Sequence, residues 1–225
     1  MSNERESLVV GVRTRVNHCQ KPTGWLGRLF LRNMNRRHSN VTDWGLAHVV
    51  VGTSDMVLDV GCGGGRTVSK LAALAILGKV YGVDHSKESV TVATKMNRKA
   101  IEAGRVEILE ASVSRLPFPP DTFDLITAVE THFWWPDLPS DMREVLHALK
   151  PGGTLVLIAE IYKGATSTTA KLAEKYLPSS VMALLGVNEH RELLGGSGFR
   201  DIQISTEPAK GWICCVASKG QRRSC

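Results

Sequence analysis

Two stretches of this 225-residue chain combine residue types that can do chemistry at one site. The first is Val57-Leu58-Asp59-Val60-Gly61-Cys62-Gly63-Gly64-Gly65, an apolar run that ends in an acid and a glycine-rich turn. Glycines at 61, 63 and 65 permit a tight turn and close approach of backbone to a bound molecule. Amides exposed there, where a helix begins, favour a negative group such as a carboxylate. Val80-Tyr81-Gly82-Val83-Asp84 follows, with Asp84 placed 23 residues after Gly61. An acid at that distance can accept hydrogen bonds from both hydroxyls of a ribose, or it can cap the helix that starts near Ser86. The second stretch is Glu130-Thr131-His132-Phe133-Trp134-Trp135-Pro136, joined further on by Glu160. His132 could act as a general base or as a hydrogen-bonded packing residue. Trp134 and Trp135 could line an aromatic pocket and stabilise a cation, or pack against the next helix.

Several chemistries are excluded by what is missing. The dinucleotide fingerprint G-x-G-x-x-G needs a glycine at position 66, where Arg66 stands. A phosphate loop needs Lys-Ser/Thr after the glycines, and none follows. The five cysteines (Cys19, Cys62, Cys214, Cys215, Cys225) have neither zinc-site nor disulfide-framework spacing, which predicts free thiols in a reducing compartment and no bound metal.

The elements that must position these residues are legible from about residue 54 onward. Short apolar runs at 56–60, 79–83, 106–111, 123–129 and 154–161 alternate with helical patterns, as in a parallel sheet covered by helices. Ser86 is expected to cap a helix running to about residue 103, with Glu88 in its first turn. Lys150-Pro151-Gly152-Gly153 reads as a turn closing a helix over 138–149. The region 162–188 is less regular, a short helix is expected at 189–194, and runs at 202–206 and 212–218 are spaced to pair antiparallel. The expected architecture is a doubly wound, Rossmann-like α/β domain with a mostly parallel seven-stranded sheet and an antiparallel last strand. It spans 54–225, preceded by a basic helical arm or lid over 1–53.

Composition is that of an ordinary globular chain, with 43% apolar and 22% charged residues. No run approaches the ~18 consecutive apolar residues that would span a bilayer. The first residues lack an apolar signal core, so a cytoplasmic location is expected. Residues 1–40 hold eight basic and two acidic side chains, which accounts for the whole net charge of +6. Within that arm, Trp25, Leu26, Leu29 and Phe30 give one face of a helix over 24–37, and Arg28, Arg32 and Arg36 give another. Such a helix could close over a cleft as a lid or lie on an anionic membrane surface.

Taken together and in order, VLDVGCGGG, VYGVD, LPFPPDTFDLITAVE and LKPGGTLVLIAE resemble the class I S-adenosylmethionine-dependent methyltransferases. Met34-Asn35, His38 and Trp44, with the ETHFWWP segment, are similar to a branch with an upstream MN..H.....W pattern. The resemblance implies that Asp59 and the turn with Gly61, Gly63 and Gly65 hold the methionyl end of S-adenosylmethionine. It implies that Asp84 binds the ribose, that His85 lies beside the adenine, and that Ser112 and Val113 meet the adenine edge. Many members carry Asp where this chain has Ser112, whose hydroxyl accepts a hydrogen bond more weakly than a carboxylate.

The product would be S-adenosylhomocysteine, and the residues around the acceptor would be Glu130, His132, Trp134, Trp135, Glu160, His38 and Trp44. Glu130 and His132 are the candidate catalytic pair. Ala128-Val129-Glu130-Thr131 lacks the Asn/Asp-Pro-Pro-aromatic motif of enzymes that methylate amino groups of adenine or glutamine. No Pro-Cys pair serves base-carbon methylation, and no acidic triad suits a magnesium-dependent catechol site. A small-molecule acceptor attacking through oxygen, nitrogen or sulfur is therefore expected, and nucleic acid is disfavoured. A cofactor-binding scaffold without catalysis and an aminopropyl transferase are the alternatives on the same fold; oligomeric state is left open.

Overall fold

A computed structural model describes residues 39–176 and 182–221. Helix 24–37, Met34-Asn35 and His38 of the sequence reading lie outside the described residues. Seven strands form one sheet: β1 Met56–Val60, β2 Lys79–Asp84, β3 Val106–Glu110, β4 Phe123–Val129, β5 Leu149–Ala159, β6 Arg200–Glu207 and β7 Trp212–Ser218. Their order is β3-β2-β1-β4-β5-β7-β6. β1 to β5 run parallel, and β7 inserts antiparallel between β5 and β6. The helices are α1 Ser39–Leu46, α2 Arg66–Leu74, α3 Lys87–Met96, α4 Arg98–Glu102, α5 Leu138–Ala148, α6 Thr168–Tyr176 and α7 Val187–Gly196.

Strand alternation sorts the core into two layers, because successive side chains point to opposite faces. Leu155 and Leu157 of β5 with Ile213, Cys215 and Ala217 of β7 face α5, α6 and α7. Val156 and Ile158 of β5 with Cys214 of β7 face α1, α2 and α3. Both faces are thus covered, and the strands read as near-continuous apolar runs for that reason. α1 docks on the same sheet: a Cβ on Gly45 would collide with the side chain of Ile158. The Cys214 thiol meets the Gly45 carbonyl at 3.6 Å. Among the described residues no helix is long and apolar enough to cross a membrane, and Cys62, Cys214 and Cys215 are free and buried.

Local chemistry refined three expectations. Ser86 caps α3 as its pattern implies, accepting a hydrogen bond from Ser89 N. The helix it starts, however, breaks at Asn97 instead of running on to 103, because the Asn97 amide turns inward and donates to Gly65 O at 2.9 Å and Ala93 O at 3.0 Å. Lys150–Gly153 does not separate a helix from a strand. β5 already begins at Leu149, opposite Phe123, and pairing resumes only at Leu125 with Thr154, so the Pro-Gly-Gly segment is a bulge inside the strand. Region 162–188 contains the helix α6, whose Ala170 and Ala173 are buried.

Candidate active site

Strand order reverses between β1 and β4, and ligands in open α/β sheets bind beyond the carboxyl ends of the strands at such a point. A cleft of about 350 Å³ opens there, within the range usual for small-molecule sites. Val60, Gly61, Asp84, His85, Ser112 and Val113 line one side, and Thr131, Trp134, Trp135 and Pro136 the other.

The glycine turn is built from backbone bonds. Gly61 N and Cys62 N both donate to Val83 O, at 2.8 and 2.9 Å, tying the end of β1 to the end of β2. Gly61, Gly63 and Gly65 adopt φ of 72°, 51° and 79°, in the left-handed region that a side chain disfavours. Gly61 also lies against Thr131, so that a Cβ there would strike the Thr131 side chain. A Cβ on Gly63 would meet nothing within 4 Å, which leaves its backbone open to a ligand. Asp84 stands over the turn: its Oδ2 accepts from Gly63 N and its Oδ1 from Ser86 N, both at 2.9 Å. With Ser89 also bonded to it, the carboxylate still keeps acceptor capacity, because it has about four lone-pair sites in all. Burial raises the Asp84 pKa, and the Ser86 and Gly63 amides and His85 work against that rise.

Asp59 lies beneath the turn and not on the cleft wall; it is 1% exposed. Its Oδ1 accepts from Thr127 Oγ1 at 2.7 Å, while Oδ2 is buried with no partner among the described residues. Desolvation pushes its carboxyl up to about 7, against the pull of the Thr127 bond. The neighbouring Cys62 thiol is raised well above its usual range by burial and by Asp84 and Asp59, so it is an inert core thiol.

His85 lines the cleft with its ring largely exposed, Nδ1 standing 3.8 Å from Asp84 Oδ1. Ser112 and Val113 line it at the end of β3, and Ser112 Oγ accepts from Ser114 N at 3.2 Å. Trp134 and Trp135 both line it, and Trp135 Nε1 donates to Thr131 Oγ1 at 3.3 Å.

The other acceptor-side candidates are not on the cleft wall. Glu130 has φ of 58°, and its carboxylate accepts from the backbone of Glu160, stitching β4 to β5. Trp44 packs against Trp212, with ring centroids 5.7 Å apart, and against His48. His132, in a one-turn 3-10 helix His132–Trp134, is 2% exposed and faces His190. Thr127, Asn97 and His190 escaped the sequence reading, and Thr131 entered it only as part of its segment, with no role of its own. Only Asn97, a polar residue in mid-helix, left a local signal; the others matter through register and packing.

Residues 58–157 match the family model described as "Methyltransferase domain". That segment, a little under half of the chain, is similar to the methyltransferase domains of that family. The chain is 28% identical over 149 residues to the O-methyltransferase cnsE of Penicillium expansum, covering 66% of this chain and 53% of that protein. It spans about half the length of the curated relatives it matches. Among solved structures, a SAM-dependent methyltransferase from Aquifex aeolicus superposes with a TM-score of 0.67 at 20% identity, covering 85% of this chain and 97% of that one. Geranyl diphosphate C-methyltransferase from Streptomyces coelicolor A3(2), solved with S-adenosyl-L-homocysteine, superposes with a TM-score of 0.65 at 16% identity, covering 82% and 77%. These two likenesses show that the chain shares the mixed, Rossmann-like sheet fold of those structures.

Proposed function

We propose that the chain is an S-adenosylmethionine-dependent methyltransferase that acts on a small molecule through an oxygen, nitrogen or sulfur atom. The observation that carries this reading is Asp84, whose two oxygens each hold a backbone amide and still present acceptor positions to a cleft floored by an open glycine turn. The residues present suit the cofactor. The turn 61–65 would hold the methionyl end, Asp84 the ribose hydroxyls, and His85, Ser112 and Val113 the adenine. Trp134 and Trp135 offer aromatic faces to a cation on the opposite wall. When bound, S-adenosylmethionine supplies a methyl carbon made electrophilic by its sulfonium.

The protein's part is then to bind and align, which suits an in-line displacement. The apolar and aromatic wall excludes water, and a base is needed only where the acceptor loses a proton. His132 is the residue we place in that role. The O-methyltransferase name of the relative cnsE supports oxygen as an attacking atom.

Calorimetric titration with S-adenosylhomocysteine, with NAD as a control, tests the cofactor. Micromolar binding of the first and none of the second is expected. Folded protein that leaves S-adenosylhomocysteine unbound would overturn the reading.

A further inference from the structure

His132 and His190 form a buried pair that the glycine turn and Asp84 do not touch. Their Nε2 atoms are 3.1 Å apart, and each side chain is 2% exposed. The proton between them must belong to one ring. Gly186 O settles which, because it lies 2.8 Å from His190 Nδ1 and a carbonyl can only accept. The neutral His190 ring therefore carries its proton on Nδ1 and leaves Nε2 bare. It follows that His132 Nε2–H donates to His190 Nε2, and that His132 Nδ1 holds a lone pair. That Nδ1 is buried and has no hydrogen-bond partner among the described residues. An acceptor buried without a donor costs about 1–3 kcal/mol, and such a cost beside a ligand cleft calls for a functional reason.

We propose that His190 is a positioning residue that fixes the tautomer of His132, so that the bare Nδ1 of His132 accepts the proton from the methyl acceptor. This rests on the methyltransferase reading above. In the step, the bond between the acceptor's attacking atom and its hydrogen breaks, the electron pair stays on that atom, and a new N–H bond forms at Nδ1. His132 becomes an imidazolium whose Nε2–H still donates to His190.

The surrounding groups support a neutral resting pair. Desolvation holds His132 well below the ordinary histidine range, reinforced by His190. Burial likewise lowers His190, against the Gly186 bond and the nearby Glu189. Glu189 is itself engaged, accepting from Gly186 N at 2.6 Å and pairing with Lys163 at 2.9 Å. The Gly186 loop is thereby held in the position that orients His190. Thr131, Trp134 and Trp135 line the cleft, so His132, bonded to Thr131 in the chain, is buried next to the wall and not on it.

Nitrogen-15 spectra of the imidazole rings in the full chain, near neutral pH, test this. His132 should carry its proton on Nε2, with a scalar coupling across the hydrogen bond to His190 Nε2, and its Nδ1 should be bare. The coupling should vanish in His190→Leu. In His190→Gln, whose amide oxygen can accept the same N–H, the Nε2 proton should remain. Saturation with S-adenosylhomocysteine should shift the Nδ1 resonance. A proton found on Nδ1 of His132 in the wild-type protein overturns the proposal, and so does an Nδ1 resonance indifferent to a cofactor that demonstrably binds. Failure of S-adenosylhomocysteine to bind at all would remove the methyltransferase reading, while the tautomer would still be read from the unliganded spectrum. Were His190→Leu not to fold, the wild-type spectrum alone decides.

Discussion

The two walls of the cleft are made in different ways. On the β1–β3 side, the chemistry comes from strand ends and the turns that directly follow them. Backbone amides do most of the holding: Gly61 N and Cys62 N on Val83 O, Gly63 N and Ser86 N on Asp84. On the β4–β5 side, side chains distant in sequence hold each other: Glu130 on the backbone of Glu160, and His132 on His190, 58 residues away. Each side also buries a titratable group with one atom unpartnered among the described residues, an acid at Asp59 and a base at His132. A wall made of backbone can bind the constant part of a reaction, while a wall made of distant side chains can vary with the acceptor.

The comparison breaks most readily at the point where the walls touch. Gly61→Ala forces a side chain into a left-handed residue and against Thr131. Strain and overpacking together should cost about 2–4 kcal/mol, seen as a fall in Tm of several degrees. A variant as stable as the parent would show that the walls are not in rigid contact. Asp84→Ala confines damage to the first wall. Loss of a charge-assisted contact should weaken S-adenosylhomocysteine by about 2–3 kcal/mol, roughly 30- to 150-fold, in a calorimetric titration. Unchanged affinity would refute the ribose assignment. Asn97→Ala removes the amide that ties α3 to Gly65 and should lower unfolding free energy by about 1–2 kcal/mol in urea. A loss in cofactor affinity larger than the loss in stability would mean that Asn97 shapes the turn itself.

The finest contrast is in pH. Asp59 has a folded pKa raised from 3.8 to about 7. Its contribution is therefore fully present below pH ~3.8 and lost as pH rises through about 7. The histidine pair is lowered in the folded state. Its contribution is present above the ordinary histidine pKa of about 6.5 and lost as pH falls below it. Unfolding free energies measured across this range should thus diverge from wild type in opposite senses. Asp59→Asn should gain relative stability toward high pH, and His190→Leu should lose its deficit toward low pH. Parallel curves would show that one of the two groups is solvated in solution.

The first wall was readable because its parts are neighbours in sequence. A strand, a glycine turn and an acid 23 residues later leave spacing that survives folding. Ser86 as a cap and the alternation of apolar runs were legible for the same local reason. The second wall was only half readable. The ETHFWWP segment was noticed, yet nothing in it says that His132 turns inward while Trp134 and Trp135 face the cleft. That depends on the one-turn helix they share and on α7 packing behind it.

The sequence by itself thus determined the doubly wound sheet, the succession of strands along the chain up to β5 and the residues of the glycine turn, since periodicity and turn chemistry act over a few residues. Only the tertiary structure decided the insertion of β7 between β5 and β6, the burial of Asp59 under Thr127, the engagement of Glu130 by β5 and the pairing of His132 with His190. Those are contacts between segments far apart in the chain, and their partners are chosen by register and packing, which no local pattern records.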